Sequence, residues 1–189
     1  MLCDNYLDIY RESIDLSTAR GLDKRTISDL ATMRFVREGF KVIIMGPTGV
    51  GKTFLASALG HSACRNNVVT LFFRMNHLLE QLAWYRAKGG YLNLLKRLVG
   101  CELLILDDFG IKPLLAQQYQ DFYDILDERG EGKPLVMTSQ LPVENWKEVI
   151  ADPVSCEAIS DRIASGAIKI ILKGNSYRCK RDLSAGSNE

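Results

Sequence analysis

The sequence predicts a three-layer α/β fold, a five-stranded parallel sheet with helices on both faces. Three observations point to it: five short apolar runs that are near-continuous rather than alternating, helix-length segments between them, and turn-forming breakers at the run ends. K-V-I-I-M (Lys41 to Met45) is the first run, ended by Gly46-Pro47. A helix follows from Lys52 to about Arg65, with Leu55, Ala58, Leu59 and Ser62 at helical spacing. V-V-T-L-F-F (Val68 to Phe73) is β-branched and aromatic, hence a second strand. Met75 to Lys88 and Tyr91 to Val99 read as two helices joined at Gly89-Gly90. Leu103 to Asp107 is the third strand, Ala116 to Arg129 a helix, and Pro134 to Ser139 the fourth strand. A helix over Val154 to Ala164 and a fifth strand over Ala167 to Leu172 complete the pattern. Parallel sheets of this kind place ligands beyond the C-terminal ends of their strands. The residues just after Met45, Leu106 and Thr138 are therefore where chemistry is expected.

Composition narrows the class. The 189 residues suit one domain, and 47% apolar with 25% charged residues is ordinary for a globular protein. No stretch approaches the roughly 18 apolar residues that a membrane span needs. The N-terminus carries acids early, with no basic stretch leading into an apolar core, so no secretory signal is expected. Five widely spaced cysteines without a C-x-x-C, and only His61 and His77 beside them, argue for reduced thiols in a cytoplasmic protein and against a zinc site. With a net charge of +1, any nucleic-acid contact must come from a local patch or from several subunits together.

G-P-T-G-V-G-K-T (Gly46 to Thr53) matches the phosphate-binding pattern G-x-x-x-x-G-K-[ST]. Gly46, Gly49 and Gly51 let the backbone curl so that successive N–H groups face phosphate oxygens. The helix starting near Lys52 adds its positive dipole end. Lys52 is expected to hold the β- and γ-phosphates of ATP, and the Thr53 hydroxyl to ligate Mg2+. Pro47, Thr48, Val50 and Phe54 complete the stretch expected to line the nucleotide.

L-L-I-L-D-D-F-G (Leu103 to Gly110) ends a strand in two acids. Asp107 is assigned to magnesium and Asp108 to orienting or deprotonating the attacking water; the plain alternative is a solvated acidic turn. Ser139 and Gln140, at the end of the fourth strand, are candidates to reach the γ-phosphate, against a strand-end cap. Arg162, on the last helix, is a candidate arginine finger toward a neighbouring subunit's nucleotide, against a surface partner one helical turn away. W-Y-R-A-K-G-G-Y-L-N-L-L-K-R (Trp84 to Arg97) mixes aromatics with Arg86, Lys88, Lys96 and Arg97, a pattern that suits DNA. Two amphipathic helices with aromatics inside are the alternative. A second basic cluster, Arg178, Lys180 and Arg181, reads most simply as a solvated face.

Together these residues resemble the IstB-like ATP-binding proteins, helpers of insertion-sequence transposition and a branch of the AAA+ ATPases near the DnaC and DnaI helicase loaders. The segments similar to the family are I-D-L-S-T-A-R-G-L-D-K (Ile14 to Lys24), G-K-T-F-L-A-S-A-L-G (Gly51 to Gly60) and L-L-I-L-D-D-F-G. The more particular ones are T-S-Q-L-P-V-E-N-W (Thr138 to Trp146), D-R-I (Asp161 to Ile163) and G-N-S-Y-R (Gly174 to Arg178). The resemblance implies an ATPase core over 36–178, a helical lead-in over 1–35 and a tail over 179–189. It also implies a trans-acting role for Arg162, a nucleotide or subunit contact for Arg178, and a DNA-facing element at Met75 to Lys88. Implied partners are ATP and ADP, DNA, further copies of the chain, and a transposase or a replicative helicase. Gln140 stands where the family usually has Asn, and Asp108 where many relatives have Glu. About 17 residues follow the fifth strand, too few for the helical lid of larger AAA+ proteins. A nucleotide-gated binding module without turnover is a rival from another class; a small-molecule kinase is a weaker one, with no lid or acceptor site in view.

Overall fold

The computed structural model of the chain describes residues 24–174 and 176. Arg178, the basic cluster around it, the tail and most of Ile14 to Lys24 lie outside the described residues, and so does any lid. Within them the order is α1 (Lys24–Ala31), α2 (Arg34–Arg37), β1 (Lys41–Met45), α3 (Lys52–Arg65), β2 (Thr70–Arg74), α4 (Met75–Ala87) and α5 (Tyr91–Gly100). There follow β3 (Leu103–Phe109), α6 (Ala116–Arg129), β4 (Leu135–Ser139), a 3-10 helix (Val143–Glu148), α7 (Pro153–Ala164) and β5 (Ile168–Ile171). The five strands form one sheet in the order β2-β3-β4-β1-β5, and every pairing is parallel. The predicted fold class is the observed one.

Side-chain alternation along each buried strand divides the core into two layers. Ile43 and Met45 of β1, Leu104 and Leu106 of β3 and Met137 of β4 pack with α4, α5, α6 and α7. Val42 and Ile44, Leu103 and Ile105, and Val136 face the other way, onto α3 and the lead-in residues Leu30, Met33 and Phe35. The lead-in is thus built into the same core as β1. Gly60 of α3 permits close approach to the sheet, since a Cβ there would stand 2.7 Å from the Ile105 Cδ1.

Several strand ends differ from the sequence expectation. The second strand starts at Thr70, because the Val68 amide still donates to Ala63 O and the Val69 amide to the Glu102 carboxylate (2.7 Å). The third strand runs on to Phe109, with its register against β4 shifting between Leu106 and Phe109. The fifth is shorter by one residue at each end, although Leu172 N still reaches Met45 O at 2.7 Å.

Two polar devices fix helix ends. Asp152 caps α7 by accepting from Ser155 N at 2.7 Å, with Pro153 opening the helix. Buried Arg129 donates to Leu98 O (2.6 Å), Cys101 O (3.1 Å) and Pro134 O (2.8 Å), which ties the end of α5 to the start of β4.

Trp146 is fully buried against Phe109, ring centroids 4.8 Å apart, and Phe109 lies 5.7 Å from Phe122. Its indole N–H has no hydrogen-bond partner, so the ring acts by bulk. Trp146→Ala is expected to cost about 3–5 kcal/mol in denaturant unfolding, and Trp146→Phe clearly less. A loss below about 1 kcal/mol for Trp146→Ala would remove Trp146 as the prop beneath the end of β3.

Candidate nucleotide-binding site

β1 ends at Met45 and the chain turns at once through Gly46, whose φ of 150° lies outside the ordinary range of other residues. A Cβ at Gly46 would stand 2.4 Å from Leu172 O, so the loop runs hard against the end of β5. Gly49 and Gly51 also have positive φ, at 82° and 99°, and Gly51 opens α3. This is the curled loop and helix start that the motif demands. Lys52 is buried, and its ammonium donates to Gly46 O and Pro47 O at 2.8 Å each. The amine is thereby held inside the mouth of the loop. Val50 is packed in the core, while Pro47 and Thr48 are exposed and Phe54 is half-buried.

The acidic strand meets this loop. The Thr53 hydroxyl lies 3.1 and 3.0 Å from the two carboxylate oxygens of Asp107 and donates to them. Asp107 is fully buried at the end of β3. Thr138 of β4 donates to Asp107 Oδ1 at 2.6 Å and accepts from the Asp108 amide at 2.9 Å. Burial pushes the Asp107 carboxyl up from its ordinary value, the Thr138 bond opposes that, and neighbouring Asp108 pushes the same way as burial. Asp108 is half-buried with φ 63°, a left-handed conformation that aspartate tolerates better than most residues.

Gln140 also comes to the loop, through a hydrogen bond from Thr48 Oγ1 to Gln140 Oε1 of 3.0 Å. Ser139 does not. Its hydroxyl is buried, donates to Leu141 O (2.9 Å) and accepts from Leu141 N (3.1 Å), so its catalytic assignment gives way to the strand-end cap. Sequence reasoning missed two residues here. Thr138 was visible only as a strand end, although a Thr directly before the polar Ser139-Gln140 pair was the available signal. Ser176 lies so close to the loop that a Cβ on Gly49 would stand 2.1 Å from its Oγ.

Arg162 stands at the other end of the sheet. It lines a 580 Å³ cavity with Lys41 and Leu135, the first residues of β1 and β4. At roughly 3.3 Å per residue, a five-residue strand separates it from the phosphate loop by about 15 Å. Its guanidinium donates to Tyr123 OH (2.7 Å) and Asp127 (2.5 Å) and lies 4.4 Å from the Tyr123 ring centroid. The alternative of a partner on its own helix is therefore corrected: Asp127 belongs to α6.

The candidate DNA patch also changes. Arg86 is bound to the almost fully buried Asp121 and lies 3.8 Å from the Tyr91 ring centroid, with its own side chain 41% exposed, so it has a structural partner within the fold as well as a solvent-facing edge. Burial and the carboxylates Asp121 and Asp124 push the Tyr91 phenol up to about 12. Removing Arg86 would leave the buried Asp121 with Gln117 Nε2 at 2.9 Å but without its cation, so this arginine fastens α4 to α6. Lys88, Lys96 and Arg97 are exposed, and Trp84, 58% exposed, is not the core aromatic of the amphipathic alternative.

A buried carboxylate held only by hydroxyls is the environment in which a divalent cation compensates charge. Because Thr53 contributes its proton to Asp107, its oxygen lone pairs stay available to a hard cation. No cluster of three His, Cys, Asp or Glu capable of holding a metal occurs among the described residues. The donor set thus fits magnesium shared with phosphates rather than an all-protein cage.

The family model for IstB-like ATP binding proteins matches residues 8–185. An insertion-sequence ATP-binding protein of Sinorhizobium fredii, y4pL, is 40% identical over 167 residues, covering 88% of this chain and 68% of that protein. The ATP-binding protein of insertion sequence IS21 from Pseudomonas aeruginosa is 33% identical over 175 residues, covering 93% and 66%. The chain therefore spans about two thirds of the length of these relatives. Among solved structures, DnaI superposes with a TM-score of 0.71 at 25% identity, covering 88% of this chain and 93% of that one. With its phosphate loop and acidic strand on an all-parallel five-stranded sheet, the chain belongs to the IstB-like ATP-binding proteins, within the AAA+ P-loop class.

Proposed function

We propose that this chain binds and hydrolyses Mg-ATP, assembles on DNA as a homo-oligomer, and assists a transposase. The observation that carries the reading is the contact of Thr53 with Asp107, which brings the phosphate loop and the acidic strand to one point. In that site, Lys52 exchanges its loop carbonyls for the β- and γ-phosphates, and the loop amides receive the remaining phosphate oxygens. Thr53 and Asp107 would hold magnesium, which when bound would supply charge neutralisation for the phosphates. Asp108 orients the attacking water, and Gln140, released from Thr48, reports the γ-phosphate. Arg162 lies too far from its own chain's loop to touch that chain's nucleotide. It serves a neighbouring subunit, which makes hydrolysis depend on assembly.

Membership in a family of insertion-sequence ATP-binding proteins supports the transposase as partner. The likeness to DnaI favours a second reading, a loader for a replicative helicase. Capture of a transposase but not a helicase, on ATP-loaded protein, separates the two. No helix of the described residues is long and apolar enough to cross a membrane, and we assign the chain to the cytoplasm.

DNA assembly is tested at Lys88, Lys96 and Arg97. Replacing all three by Ala is expected to weaken ATP-dependent binding to duplex DNA about tenfold or more at moderate salt. The slope of log K against log salt should become shallower by about 2–3. Nucleotide affinity should not change. An unaltered slope would remove the patch. Absence of phosphate release both with and without DNA would instead favour a nucleotide-gated binder.

A further inference from the structure

We propose that Thr138 is a positioning residue for ATP hydrolysis: one hydroxyl sets both the carboxylate that receives magnesium and the backbone of the acid beside it. The inference rests on the reading of Asp107 as a magnesium ligand. It begins with the irregularity in β3. Between Leu106 and Phe109 the register against β4 shifts, and Asp108 takes a left-handed φ of 63°. Such a bulge takes an amide out of the regular ladder, and a buried amide needs a partner.

Thr138 Oγ1 is that partner, at 2.9 Å from Asp108 N. A hydroxyl has one proton to give. Because the oxygen is accepting from Asp108, the proton is directed to Asp107 Oδ1, 2.6 Å away. Thr138 is itself fully buried, so water does not compete for either bond. Its methyl and backbone are fixed in β4, where Thr138 pairs with Ile44 of β1. Position and rotamer are therefore set by the sheet.

The consequence is a rigid triangle. Thr53 approaches the Asp107 carboxylate from α3 and Thr138 approaches it from β4. The carboxylate plane is held by hydroxyls from two different elements before any metal arrives. Holding it so keeps the entropy of ordering the ligand from opposing metal capture. The second bond keeps Asp108 in its unusual backbone conformation, which aims the following acid relative to the first. Valine in place of Thr138 preserves shape but can neither donate nor accept. It leaves a buried amide and a buried carboxylate each short of one bond.

The test compares the parent, Thr138→Val, Thr138→Ser and Asp107→Ala, each first shown to be folded by its thermal transition. ATP affinity is measured with excess EDTA and across a magnesium titration, and phosphate release across the same titration. Thr138→Val is expected to need about 10–100-fold more magnesium for half-maximal nucleotide binding and release, with ATP affinity in EDTA within about twofold of the parent. Thr138→Ser should return to within a few-fold of the parent. Should valine prevent folding, Thr138→Ala supplies a second hydroxyl-free chain with less bulk to accommodate. A parental magnesium dependence in Thr138→Val, or a serine variant no better than valine, overturns the proposal. If Asp107→Ala too keeps the parental dependence, the magnesium reading itself falls; if only Thr138→Val does, Asp107 stands and Thr138 alone is dismissed.

Discussion

Asp107→Asn is expected to lower magnesium-dependent phosphate release by on the order of 10²–10³-fold, with ATP affinity in EDTA nearly unchanged. The change is nearly isosteric. Asn keeps an oxygen to accept from Thr138 at the position of Oδ1, so the local packing is retained. What disappears is the negative charge that would meet the cation. Stability gives an independent reading of the same variant. Burial raises the Asp107 pKa above the ordinary 3.8, with Asp108 adding to the shift and Thr138, Thr53 and Arg74 opposing it. A carboxyl whose pKa is raised by folding favours the native state fully below its unfolded pKa, and that contribution is lost as pH rises through the folded value. At neutral pH, without metal, the ionised group is thus a cost to the fold. Asp107→Asn removes it, and the variant should melt at or above the parent's temperature in EDTA while losing hydrolysis. A variant that is both inactive and less stable would point to damaged packing instead.

Magnesium should also act differently on the two proteins. In the parent, Mg-ATP raises the melting temperature beyond what ATP in EDTA achieves, since a ligand that binds only the native state shifts unfolding by mass action. In Asp107→Asn the two nucleotide conditions should converge. The charge at the end of β3 is then the element that couples metal to fold.

Much of this site was legible in the sequence because its parts are local. The phosphate loop is a contiguous run whose glycines have one conformational use, and the strand before it and helix after it are each set by their own apolar pattern. Asp107 was legible because two acids ending four apolar residues have few purposes in a parallel sheet. Long-range pairing was not. Arg86 reads as a surface cation beside Lys88 until Asp121, 35 residues away, is seen to take it. Arg162 likewise reads as a helix-surface charge until α6 brings Asp127 and Tyr123 to it. Ser139 looks chemical by type and position, yet its hydroxyl closes its own turn. Thr138 looks like one more β-branched strand residue, and its role appears only when a bulge in β3 leaves an amide to satisfy. In each case the sequence shows what a side chain can do, while the partner is chosen by which elements the sheet order makes neighbours.

The account depends most on the phosphate loop enclosing a triphosphate, and Lys52 tests that directly. Its ammonium sits within the loop and is buried there, so its removal deletes the cation aimed at the phosphates and little of the surrounding core. Loss of one desolvated charge-assisted contact is worth about 3 kcal/mol, roughly a hundredfold in Kd. The measurement is calorimetric titration of Mg-ATP into the parent and into folded Lys52→Ala. The expected result is saturable binding in the parent and about hundredfold weaker or undetectable binding in the variant. Equal affinity in the two proteins would contradict the placement of ATP in this loop.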